Sequence, residues 1–179
     1  MKKNGIKVWV PVFAQIDLKD CIIKIKDGTS PTANELEVKI GEGNLTYSES
    51  RNIQYTLNRG LLDEVREGDQ VPVDVRLDFT WDYLRSNGGV IPTVEEALKK
   101  IGNAASWVSS DLDACRPYAV DLEVTNAPSP AACGDKEVIT LADFRHEKLD
   151  HDLKAGTVSV TGKCNVTQAS VVRSAQASV

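Results

Sequence analysis

No segment of this sequence stays apolar over the ~20 residues that a bilayer-spanning helix needs, and the N-terminus lacks the apolar core and small-residue cleavage site of a secretory signal. The expectation is a chain that folds in the cytoplasm, without a membrane partner. Basic runs are equally scarce. None exceeds two residues, as at Lys2-Lys3, and the formal net charge is -5. A nucleic-acid binder would bring a basic patch to the phosphates, so specific binding of that kind is disfavoured. The cysteines Cys21, Cys115, Cys133 and Cys164 form no C-x-x-C pair of the kind that holds zinc or exchanges electrons. In a reducing compartment they read as buried small apolar side chains, with a bridge between Cys115 and Cys133 as the alternative.

Catalytic and metal-binding signatures fail on spacing. "GTVSVTGKC" looks like a phosphate-binding loop, but five residues separate Gly156 from Gly162, Lys163 precedes Cys164 instead of Ser or Thr, and the segment alternates like a strand. "HEKLDH" misses the zinc-protease motif because His146 and His151 are five apart, off the shared helical face and on opposite faces of a strand. Asn44-Leu45-Thr46 and Asn165-Val166-Thr167 match a glycosylation sequon that a chain without a secretory signal does not expose to the enzyme. No nucleophile has a recognisable base beside it. We therefore expect no enzyme, no cofactor and no metal.

What the sequence does contain is strand pattern. Its 179 residues fit one domain, 1–166, followed by a tail, 167–179, rich in Ser, Ala and Val and read as an arm or disorder. "KVWVPVF" alternates, with Pro11 suited to an edge. "CIIKIKDG" is a short strand ending in a turn, and "ELEVKIGEGNLTYSES" points Leu36, Val38 and Ile40 inward before a corner at Gly41 and Gly43. "NIQYTLNRG" repeats the alternation with Ile53, Tyr55 and Leu57. "YAVDLEVTN" sets Val120, Leu122 and Val124 against Asp121, Glu123 and Thr125. "KEVITLADFRHEKLDHD" suits either strand or helix, and "GTVSVTGKCNV" closes as a strand. One helix is marked in "PTVEEALKKIG": Thr93 and Glu96 form a capping box, Val94, Ala97, Leu98 and Ile101 share a face, and Gly102 stops the run. Glu95 with Lys99 and Glu96 with Lys100 are spaced to pair on the outer face. Many short strands with a single helix predict a mainly β fold, a β-sandwich or partial barrel with one flanking α-helix.

The longest alternation is "VPVDVRLDFTW". Val71, Val73, Val75, Leu77, Phe79 and Trp81 fall on one parity, and Asp74, Arg76, Asp78 and Thr80 on the other, continued by Asp82. One face is dry. The other is wet and largely acidic, and bulk water, a cation or an excluded polyanion would each tolerate it. The segment "SESRNIQYTLNRGLLDEVREGD" places Arg51, Arg59, Asp63, Glu64, Arg66 and Glu67 where ion pairs across an interface, or an ordinary charged turn, would use them.

"SRNIQYTLNRGLLDEVREGDQVPVDVRLDFTWDYL", "RPYAVDLEV" and "GDKEVITLADFRHEKLDHDLKAGTVSVTGKCNV" together resemble the tail tube (major tail) proteins of long-tailed bacteriophages, from about Glu35 to Val166. The resemblance implies a β-sandwich with a flanking helix whose sheets join edge to edge as one barrel in a hexameric ring. The rings stack into a hollow tube of the virion tail, assembled in the host cytoplasm, through which phage DNA passes unbound. It also implies a tape-measure protein and tail initiator and terminator proteins as partners. On that reading Asp74, Arg76, Asp78, Thr80 and Asp82, extended by Asp121 and Glu123, line an acidic lumen that repels phosphates. The charged set from Arg51 to Glu67, the N-terminal strand, the loop from Arg85 to Pro92 and the C-terminal arm are the candidate subunit contacts. The alternatives are an outer solvated face, and a monomeric β-sandwich that binds or decorates a virion.

Overall fold

The computed structural model describes residues 18, 21–38, 43–80, 91–126 and 135–174. The expected strand over residues 7–13, the Gly41 corner, Ile40, Trp81, Asp82, most of the Arg85–Pro92 loop and Cys133 lie outside them. Ten strands follow from the alternation: β1 (Cys21–Lys26), β2 (Glu35–Val38), β3 (Asn44–Ser48), β4 (Ile53–Asn58), β5 (Leu61–Glu67), β6 (Val73–Thr80), β7 (Val120–Asn126), β8 (Lys136–Asp152), β9 (Thr157–Cys164) and β10 (Ser170–Ser174). Among the described residues one helix, α1 (Val94–Lys99), and a 3-10 turn over Gly102–Ala104 stand between β6 and β7.

Eight strands form one antiparallel sheet in the order β2-β1-β7-β8-β9-β6-β3, with β10 added to β8. β8 organises it. This strand is 17 residues long, and its N-terminal half pairs β7 and β10 while its C-terminal half pairs β9. Asp143, at φ 54, lies where the β7–β8 register shifts, an irregularity that bends a strand and turns one sheet into two faces around a core. Ile23 and Ile25 of β1, Leu77 and Phe79 of β6, Leu122 of β7, Phe144 of β8 and Val160 of β9 meet in that core. Each such side chain contributes about 1.5–3 kcal/mol by leaving water. The molecule is thus a β-sandwich or partial barrel flanked by a helix, as the strand count predicts.

Helix α1 starts as its sequence dictates, with Thr93 and Glu96 exchanging hydrogen bonds at 3.2 and 2.9 Å and Val94, Ala97 and Leu98 buried. Lys99 pairs with Glu95. The end differs from expectation. Lys100 takes the left-handed cap conformation at φ 55, so Ile101 leaves the helical face and is exposed. Glu96 is turned back to its cap, and Lys100 lies over the Tyr118 ring instead of pairing with it. The segment 136–152, open between helix and strand, is the strand β8. One further reading is corrected: Cys115 is exposed, not buried. Residues 170–174, within the tail read as an arm or disorder, pair with β8 as β10.

Candidate functional site

The polar face of β6 sits in the middle of a wider surface. Across the ladders Asp74 lies opposite Ser48 and Lys163, Arg76 opposite Thr46 and Thr161, Asp78 opposite Asn44 and Ser159, and Thr80 opposite Thr157. Beyond β9, Lys148 and Asp150 of β8 continue the face as an ion pair at 2.7 Å. Arg76 donates to Asp78 at 3.0 Å and to Ser159 at 3.2 Å, while the Ser159 hydroxyl donates to Asp78. Lys163 approaches Asp74 at 3.9 Å. The strand is acidic; the face it belongs to is largely compensated and rich in short hydroxyls. Neighbouring strands, invisible to a reading of one segment, bring the cations.

Asp121 and Glu123 stand on β7, with β8 and β9 between them and β6. Glu123 accepts from Lys26 at 2.7 Å, and Asp121 accepts the Asp143 N–H at 2.9 Å. Burial raises the Asp121 carboxyl above the usual carboxylate range, and the nearby Asp143 charge adds to the effect. Asp121 braces the β7–β8 junction and Glu123 ties β7 to β1, and among the described residues neither forms a hydrogen bond or ion pair with the β6 set.

The segment 51–67 is a projecting ribbon. β4 and β5 pair only with each other, and every residue of both strands is exposed. The base of the ribbon is closed by the Gly68 N–H donating to the Asn52 carbonyl at 2.7 Å, and the β3–β6 ladder begins beyond it with Ser48 opposite Asp74. Arg59 at φ 51 and Gly60 at φ 81 form the two-residue turn, a conformation with both φ angles positive that matches the twist of a hairpin. Tyr55 stands opposite Val65 and Leu57 opposite Leu62, so one face carries Ile53, Tyr55, Leu57, Leu62 and Val65. The expected alternation is present, but it buries nothing in the single chain. Of the charged residues expected to form contacts, Arg66 pairs with Glu64 at 2.9 Å; Arg51, Arg59, Asp63 and Glu67 form no ion pair among the described residues. A two-stranded hairpin alone is marginal in water, and five apolar side chains on one face add a continuous surface that favours cover.

Two braced loops were not foreseen. Asp27, 3% exposed, accepts hydrogen bonds from Thr29 N and Oγ1, Asn34 N and Nδ2, and Val108 N at 2.6–3.1 Å. Burial alone would raise its pKa, but these donors outweigh it and hold the carboxyl below its ordinary value. The loop 109–117 is tied to β8 by Arg145, which donates to Asp111 Oδ2 at 2.6 Å and to the Pro117 carbonyl at 2.9 Å. The Asp113 N–H and the Arg145 guanidinium lower the Asp111 pKa to about 2. Leu112, between two aspartates at the head of this loop, is 97% exposed. The only trace in the sequence is "DLD", a leucine fixed between two turn-forming acids. Among the described residues no three His, Cys, Asp or Glu side chains converge as a metal site requires.

No protein-family model matches the sequence, and no curated protein matches it. Solved structures do. The chain is similar to the sheath/tube terminator of an extracellular contractile injection system, PVC, in its extended state, with a TM-score of 0.50 and 11% identity over 92% of this chain and 100% of that one. It is also similar to the anti-feeding prophage cap, a tube-terminating cap, with a TM-score of 0.50 and 10% identity over 93% of this chain and 97% of that one. At these identities the likeness is one of fold, and it spans nearly the whole of each chain: this sequence folds as those tube-terminating proteins fold.

Proposed function

We propose that this protein is a structural subunit of a phage-tail-type tube, self-assembling into rings, hexameric in the finer form of the reading, that stack around a channel. The observation that carries it is the β4–β5 hairpin, which exposes Ile53, Tyr55, Leu57, Leu62 and Val65 on one face and belongs to a fold shared with tube-terminating proteins. Burying its large apolar side chains between copies would contribute about 1.5–3 kcal/mol each, enough to offset much of the cost of association. The edges of β2 and β3, at the two ends of the sheet among the described residues, suit edge-to-edge pairing between neighbours. No catalytic step is part of this function.

In its finer form the reading makes the β6 face the channel wall of a virion tail of the long-tailed type, with Asp74, Arg76, Asp78, Thr80 and Asp82 toward a DNA cargo that passes unbound. A tape-measure protein and tail initiator and terminator proteins would then set length. Compensation by Lys163 and Arg76 makes such a wall low in adhesion more than strongly repulsive. Asp74→Lys with Asp78→Lys, in tubes confirmed by microscopy, tests it: slowed genome ejection at low salt supports the wall, and unchanged ejection removes it.

The names of the two solved neighbours favour a second reading, a ring that ends a tube and blocks further stacking. Negative-stain microscopy of the purified chain at high concentration separates the cases. Tubes support the tube subunit, single rings support the terminator, and isolated particles without a central hole overturn both.

A further inference from the structure

We propose that the loop 109–117 is the counterpart of the β4–β5 hairpin: between neighbouring copies of this chain, Leu112 seats on the apolar face of the hairpin near its tip. The inference rests on the self-assembly argued above and supplies the second half of the contact.

Leu112 is the most exposed large apolar side chain among the described residues, at 97%. Single apolar residues on a surface are ordinary. This one is held out. Asp111 beside it accepts from Arg145 at 2.6 Å and Arg116 at 3.2 Å, the Asp113 N–H donates to Asp111 at 3.0 Å, and the Cys115 N–H donates to Asp113 at 3.0 Å. A loop braced in this way lacks the freedom to fold its leucine back onto its own protein. Little ordering entropy remains to oppose docking.

The two surfaces lie on opposite sides of the molecule's middle. Val73, Cys164, Phe144 and Val120 form one transverse row across β6, β9, β8 and β7. β6 leaves that row in one direction and β7 in the other. The hairpin precedes β6, so it emerges on the β7 side; the loop 109–117 precedes β7 and emerges on the β6 side, where Arg145 holds it. A knob and a strip so placed cannot meet within one chain but can meet between two, and the contact joins unlike surfaces. Repeated, such a contact closes a ring or extends a file.

Leu112 is flanked by Asp111 and Asp113, which Arg145 and Arg116 already compensate, so the knob is an apolar tip in a neutral, hydrogen-bonded collar. The hairpin tip carries Leu57, Leu61 and Leu62 around Arg59, which forms no ion pair among the described residues, so an apolar knob meets an apolar strip without burying an uncompensated acid.

Two measurements test the contact. In a Cys115→Ser background, one preparation carries Leu112→Cys and another carries cysteine at Leu57, Leu61 or Leu62 in turn; they are mixed, mildly oxidised and run on a non-reducing gel. A disulfide-linked dimer that forms in the mixture and not in the separate preparations supports the contact. A wild-type chain that assembles while no mixture cross-links overturns it and leaves self-assembly standing, whereas a wild-type chain that never assembles overturns both. Leu112→Glu should keep the wild-type melting temperature and raise the concentration needed for assembly about tenfold or more, with Leu112→Met close to wild type. Assembly of Leu112→Glu at the wild-type concentration would sink the proposal.

Discussion

The carboxylate of Asp121 accepts the backbone N–H of Asp143 at 2.9 Å, across the point where β8 bends. Asp143 is a non-glycine residue at φ 54, a conformation that costs about 1–3 kcal/mol unless its surroundings hold it. Its side chain accepts from the Ser110 hydroxyl at 2.8 Å, so β7, β8 and the loop before β7 share one junction. Asp121→Ala should leave the Asp143 N–H unsatisfied and lower stability by about 1–3 kcal/mol. Asp121→Asn keeps an acceptor and should lose less.

The same carboxyl gives a pH signature. Burial raises its pKa above 3.8, so the folded chain holds this proton more tightly than the unfolded chain does. The group's contribution is therefore most favourable below the unfolded value and declines as pH rises through the folded one. Thermal unfolding of Asp121→Asn across the acid range should lack that decline. An identical pH profile for wild type and variant would remove this account of the junction.

Asp111 behaves in the opposite sense. Its pKa is lowered to about 2 by the Asp113 N–H and Arg145, so its contribution is present above the ordinary value of 3.8 and lost as pH falls toward 2. Asp111→Asn should flatten that loss. Hydrogen exchange of residues 109–117 should then rise at neutral pH while β9 stays protected.

Asp27 anchors a loop by five hydrogen bonds. Asp27→Ala strands several buried donors at once and should cost about 3 kcal/mol or more. Calorimetry checks this, with Asp27→Asn expected between the two.

Gly162 lies opposite His146, at the irregularity of the β8–β9 ladder. A Cβ there would stand 2.1 Å from the Arg145 carbonyl oxygen and 2.8 Å from His146 Cα. Backbone cannot yield as a flexible side chain does. Gly162→Ala should destabilise by about 1–3 kcal/mol, the usual range for overpacking, measured by urea unfolding.

The hairpin separates folding from assembly. Tyr55→Glu with Leu57→Glu changes only exposed residues, so the melting temperature of the single chain should hold while rings or tubes disappear from micrographs. A variant that still assembles would mean the ribbon is not a contact.

Much of the fold was legible because its signals are local. The alternation from Val73 to Thr80 and the Thr93–Glu96 capping box each lie within a few residues, and each forms as its pattern requires. The environment of those patterns is not local. Ile53, Tyr55 and Leu57 alternate as well as Val75 and Leu77 do, yet nothing in the segment says that no sheet covers them. Likewise Asp74 looks unopposed until β9 brings Lys163 alongside, 89 positions later in the chain. Leu112 carried no period at all, because its setting is made by Arg145 on another strand.

The late place of β8 in the chain has a consequence during synthesis. Before it leaves the ribosome, β2–β1–β7 and β3–β6 are two separate ladders with no hydrogen bonds between them. Both wait for β8 and β9 to join them, so under the proposed assembly a contact that needs the joined sheet forms only after residues beyond 136 are made.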